Sequence, residues 1–135
     1  MDNHKQLRFL SLTKELRKLT KKMYDFVDIE MTKERYEERF FTEFKPFADE
    51  VHYKASEWKE LAMEWVDYES PKYIYTMQIT NLFDNITGMA ITVCQPRARK
   101  KNVIETIKSI EYILQTIESQ MHVSIEGAGT TCDRS

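Results

Sequence analysis

The chain has 135 residues, 41% of them hydrophobic and 31% charged, with three glycines and three prolines; that balance fits one helical domain with its own core and excludes a mainly disordered chain. A net charge of -2 gives no bulk attraction for nucleic acid or membrane, and Cys94 and Cys132 are too few and too far apart for a zinc motif or a disulfide framework. No stretch approaches about 18 uninterrupted apolar residues, and Met1 to Leu12 lacks an apolar run, which predicts a cytoplasmic protein with no membrane contact.

In chain order, Phe9, Leu12, Leu16, Leu19, Met23 and Phe26 repeat at alternating spacings of three and four, the seam of an amphipathic helix from Lys5 to Asp28. Lys14, Arg17, Lys18 and Lys21 form a basic stripe on its other side, ordinarily a solvated face and otherwise a contact for an acidic partner or a phosphate backbone. Thr32 is the expected cap of a second helix, with Glu34 in its first turn. Its seam is Phe40, Phe44, Phe47, Val51, Trp58, Leu61 and Trp65, and Ala48, Ala55 and Ala62 fall beside it seven residues apart. Pro46 removes a backbone donor and pushes Lys45 away from helical geometry, so a kink or break is predicted there. The two tryptophans read as core rather than as pocket walls.

Residues 70–95 carry only two charges, Lys72 and Asp84. Ser70 followed by Pro71 predicts the start of a third helix, with serine as cap, and Tyr75, Ile79, Leu82, Ile86, Met89 and Val93 supply its buried stripe. Gln78, Asn81 and Asn85 share one flank with Gly88. If buried, that polar row must be hydrogen-bonded, fixing helix register or holding a ligand. Met77, Thr80, Asp84, Thr87, Ile91 and Cys94 fall on the outer face, where charged residues are nearly missing. Met77, Thr80, Thr87 and Ile91 are therefore the candidate interaction face.

A fourth helix is expected from about Arg97, with the seam Val103, Ile107, Ile110, Leu114, Ile117 and Met121, widened by Ile104 and Ile113. Arg97, Arg99, Lys100 and Lys101 crowd its first turn, where cations oppose the helix dipole and could instead hold an anion. Periodicity ends at Val123, so the domain is predicted to span residues 1–122 and residues 123–135 to form a flexible, disordered tail. The whole reads as an all-α, antiparallel up-down-up-down four-helix bundle whose second helix is kinked or broken near Pro46.

The segments "KPFADEV", "EWKELAMEWV", "SPKYIYTMQITNLFDN" and "PRARKKNVIETIKSIEYILQTI", in that order and spacing, resemble the YppE-like family of small bacterial proteins of unknown function. The likeness covers Phe40 to Ile117 and implies a cytosolic four-helix bundle with no established activity. The family's recurring features correspond to Pro46, Trp58, Trp65, Gln78, Ile79, Asn81, Asn85, Lys101 and Tyr112, most of which packing explains. It supplies no catalytic residues to carry over.

The uncharged central face and the absence of a catalytic constellation favour a non-catalytic protein-interaction or adaptor module, whose partner is another protein or a second copy. The alternative is nucleic-acid or phosphate binding through the basic residues of the first and fourth helices. A metal-dependent enzyme fits less well. Asp49 with His52 is a loose Glu-x-x-His, Glu118 with His122 has the wrong spacing, and the central helix offers only Asp84. No catalytic residue, metal or other cofactor is predicted.

Overall fold

The computed structural model describes residues 2–28, 32–95 and 100–134, and side chains for 2–27, 32–95 and 100–121 of these. Each periodic stretch forms a helix. Helix α1 spans Asn3–Asp28. Helix α2, Lys33–Arg39, continues through a π-helical turn, Phe40–Phe44, into α3, Lys45–Glu69. Helix α4 is Thr76–Thr92 and α5 is Lys100–Arg134. Helices α1 and α4 each pack on both α3 and α5. They therefore stand diagonally across a square, and the order around it is that of an up-down-up-down bundle.

Polar contacts between neighbouring helices set the antiparallel register. Arg17 pairs with Glu118, and the Tyr24 hydroxyl donates to Glu111 at 3.4 Å, tying α1 to α5. Between α1 and α3, Lys5 meets Glu64 at 3.2 Å and Arg8 forms a two-pronged pair with Glu57 at 2.7 and 2.8 Å. The Lys5 and Arg8 pairs are exposed, and such contacts select the alignment more than they supply stability.

Stability comes from the seams. All six seam residues of α1 and all six of α5 are buried, at about 1.5–3 kcal/mol for each large side chain. Phe9 lies against both Trp58 and Trp65, with ring centroids 6.0 and 5.4 Å away. At the other end, Phe26 meets Phe44 and Phe47 edge-on at 5.6 and 4.9 Å. Ala55 and Ala62 are buried as well, the small column that lets α3 come close to its neighbours. Two polar residues of α1 are fully enclosed. The Thr20 hydroxyl donates to the Leu16 carbonyl at 2.7 Å, while that of Thr13 donates to the Phe9 carbonyl at 2.8 Å and accepts the Trp58 indole N–H at 2.9 Å.

The irregularity expected at Pro46 is a π turn one step upstream. Pro46 sits in the first turn of α3, and the Lys45 N–H reaches back five residues to the Phe40 carbonyl. A proline ring collides with the carbonyl four residues before it, here Thr42, and widening the turn relieves that collision without breaking the helix. Thr32 caps α2 as expected, its hydroxyl accepting the Arg35 N–H at 3.1 Å.

Two helix ends differ from expectation. Ser70 does not begin α4; it ends α3 in the left-handed conformation, φ 45°, with its N–H on the Val66 carbonyl at 3.0 Å. Tyr73 is also left-handed, φ 66°, and between them the chain turns so that Ile74 is buried. Helix α4 starts five residues later, where the Tyr75 N–H donates to Gln78 Oε1 at 2.8 Å. Burying Ile74 as a plug under the loop outweighs beginning the helix early. Gln120 of α5 holds the same loop by donating to the Lys72 carbonyl at 2.7 Å. At the C-terminus the backbone of α5 is helical to Arg134.

Candidate functional site

Helix α4 presents Met77, Asn81, Asp84, Asn85, Gly88 and Ile91 to solvent along its full length. Its buried side is Ile79, Leu82, Ile86 and Ala90, with Val93 just beyond the helix end. Two sequence assignments change as a result. Tyr75 is exposed and Met89 only half-buried, because the inward stripe turns through Ala90. And the row Gln78, Asn81 and Asn85 is not enclosed: Asn81 and Asn85 face water, and half-buried Gln78 spends its side-chain oxygen on the Tyr75 N–H. These amides owe no compensation for burial, since nothing desolvates them.

The candidate interaction face and this polar row therefore merge into one surface. Met77 is 73% exposed and Ile91 53%. Between them Thr80 and Thr87 are half-buried, with their hydroxyls turned back to the Thr76 and Phe83 carbonyls. A Cβ added at Gly88 would meet nothing within 4 Å. Asp84 is the one charged residue of α4, and its carboxylate has no ion-pair partner among the described residues. Cys94, assigned to this face, is buried instead, with Sγ 3.6 Å from the Ala90 carbonyl. Burial pushes its thiol up to about 11, with Glu43 adding to the shift and Arg39 opposing it. It is not a nucleophile at neutral pH.

Sequence reasoning missed a groove at the C-terminal end of the same helix. Tyr36, Phe40, Phe44 and Ala48 on one side and Ala90, Ile91 and Cys94 on the other enclose about 270 Å³, with Lys45 at the rim. Phe41, 76% exposed, stands beside it in the π turn. The available signal was Tyr36, Phe40 and Phe44 at successive spacings of four, a stripe too wide for the single seam assigned to that helix.

The basic residues are not gathered into one site. Lys14, Lys18 and Lys21 are exposed along α1, while Arg17 turns inward to Glu118. Lys100 and Lys101 are exposed at the start of α5. With Glu111 at the level of Tyr24, Lys101 lies about 20 Å along the bundle axis from Lys21, at about 1.5 Å per helical residue. Arg97 and Arg99 lie outside the described residues. The carboxylates considered for metal binding also stand apart: Asp49 bonds Lys45 at 2.9 Å on the outer face of α3, and Glu118 is held by Arg17. Among the described residues no three histidine, cysteine or carboxylate side chains converge to hold a metal ion, and no helix is long and apolar enough to cross a membrane.

An antiparallel four-helix bundle whose outer α4 face carries a single charge, Asp84, defines the class: a small helical domain recognisable by its fold. Residues 13–121 match the model of a bacterial domain of unknown function, DUF1798, and the chain belongs to that family. The uncharacterized protein YppE of Bacillus subtilis (strain 168) is 27% identical over 82 residues, 61% of this chain and 67% of YppE. A crystal structure of a Listeria innocua protein of unknown function superimposes with a TM-score of 0.76 at 24% identity, covering 91% of this chain and 98% of that one. The crystal structure of B. subtilis YppE gives 0.70 at 23% identity, covering 89% and 95%. At these identities the likeness establishes the shared fold, and the YppE-like resemblance read from the four sequence segments holds.

Proposed function

We propose that the protein is a non-catalytic interaction module of the cytoplasm that binds a protein partner through the outward face of α4. One observation supports this above the rest: 17 helical residues expose Met77 and Ile91 at either end and carry a single charge between them. The outer sides of α1 and α3, by contrast, bear rows of lysine and glutamate, the ordinary composition of a solvated face. A polyanion contact through Lys14, Lys18 and Lys21 is the second reading, motivated by their exposure along one side of α1. It ranks lower because Lys100 and Lys101 are too distant to extend that row.

Replacing Met77→Lys together with Ile91→Lys leaves folding within about 0.5 kcal/mol, since both side chains are exposed. The expected result is loss of a stoichiometric complex recovered with the unaltered chain by native mass spectrometry after mild capture. If the native mass and every captured species are the same for the two proteins, the interaction reading is wrong.

A further inference from the structure

The chemistry of the α4 face also narrows what can sit on it. Met77, Asn81, Asp84, Gly88 and Ile91 follow alternating spacings of four and three, the repeat of a helix-packing seam, here turned to solvent. Met77 and Ile91 lie one heptad on either side of Asp84, each about 10 Å from it along the axis. Gly88, with open space where a Cβ would be, is a point at which another backbone can come close. The single charge sits at the midpoint, without an ion-pair partner among the described residues.

That midpoint decides between occupants. In a two-fold pairing of this seam, either antiparallel about its centre or parallel in register, Asp84 of one copy would face Asp84 of the other, and like charges brought together at an interface are disfavoured. Sliding the copies out of register to separate them withdraws Met77 or Ile91 from the contact. We propose that α4 docks one amphipathic helix of a different protein, with a lysine or arginine opposite Asp84 and an apolar residue one heptad to either side. This rests on the interaction reading above and adds the partner's chemistry to it.

Two synthetic peptides of about 18 residues, identical amphipathic helices except for lysine or glutamate at the central position, serve as probes against the full chain, with binding followed by fluorescence anisotropy at low salt. The lysine peptide is expected to bind at least about fivefold tighter than the glutamate peptide, the scale of a partly exposed ion pair replaced by a repulsion. Asp84→Lys should reverse the preference, and Gly88→Leu should weaken both peptides at least about tenfold by blocking close approach. If the two peptides bind alike, or if Asp84→Lys leaves the preference unchanged, the inference is overturned. Should both nonetheless be lost in the Met77→Lys, Ile91→Lys protein, the face remains an interface and only the partner's assigned charge falls. Absence of binding by either peptide at about 1 mM also overturns it, as does a doubled native mass that Met77→Lys returns to a monomer, which would assign the face to a second copy. In those last two cases the interaction reading is judged separately by its own capture experiment.

Discussion

Replacing Thr13→Val tests whether the hydroxyl at the centre of the bundle is an energetic requirement or a tolerated accident. Valine keeps the volume and branching of threonine, so the contacts with Phe9 and Trp58 are preserved; what disappears is the acceptor for the Trp58 indole N–H, 2.9 Å away. Both residues are fully buried, and an orphaned buried donor costs about 1–3 kcal/mol. Thr20→Val is the matched control, since its hydroxyl is equally buried but only donates, to a Leu16 carbonyl that already accepts a helical N–H. Its loss should stay within about 1 kcal/mol. Equilibrium urea unfolding followed by tryptophan fluorescence resolves the difference, because 1 kcal/mol moves the midpoint by about 0.3–1 M at the usual dependence on denaturant. In a Trp58→Phe background the indole donor is gone, and Thr13→Val should cost about 1 kcal/mol less than in the unaltered chain. Equal costs for Thr13→Val and Thr20→Val, or an undiminished cost in the phenylalanine background, would refute the reasoning.

Ser70→Gly should stabilise the protein by about 0.5–1 kcal/mol, since φ 45° strains serine and not glycine; unchanged unfolding would show that the loop relaxes that strain some other way. In a Cys132→Ser protein, Cys94 should react with iodoacetamide at pH 8 far more slowly when folded than in urea. Because its folded pKa of about 11 exceeds the ordinary 9.0, its contribution to stability is fully present below pH 9 and is lost as pH rises from about 9 to about 11, where the unfolded thiol ionises first. A Cys94→Ala protein should show a flatter decline over that window. For the partly buried Arg17–Glu118 pair, Arg17→Met alone should cost more than Arg17→Met combined with Glu118→Leu, because the single change takes the Arg17 guanidinium away from a buried carboxylate. Stability measurements on the two proteins that come out in the reverse order would show that Glu118 is sufficiently solvated by itself.

The bundle was readable because its seams repeat at the helical period without interruption. Phe9 to Phe26 and Val103 to Met121 were assigned residue for residue, and all are buried. Errors gathered where local chemistry admits two answers. Ser-Pro suits a helix start, but serine can also close the preceding helix in the left-handed conformation, and the choice was made by a residue four positions on, Ile74, that the periodic stripe did not include. On α4, anchoring the stripe on Tyr75 and Met89 rotated it away from Ala90 and so enclosed Asn81 and Asn85, which face solvent. Alanine gives periodicity a weak signal, so a stripe that turns on it is easily misplaced. Only one wall of the groove beside the π turn is legible, as the stripe Tyr36, Phe40 and Phe44; that it faces Ile91 on another helix is not, because the sequence encodes the faces of each helix but not the hollow between them.

Helix α2 buries none of its residues, and the wide π turn separates it from α3. Its amides therefore belong to the least protected part of the described helices, the part that opens to hydrogen exchange without waiting for the bundle to unfold. Tyr36 lies on that segment and Phe40 directly follows it, whereas Phe44, Ala90 and Cys94 of the same groove are buried in the core. The groove is thus walled by two parts of unequal burial, and amide exchange is expected to be faster at Tyr36 than at Ala90.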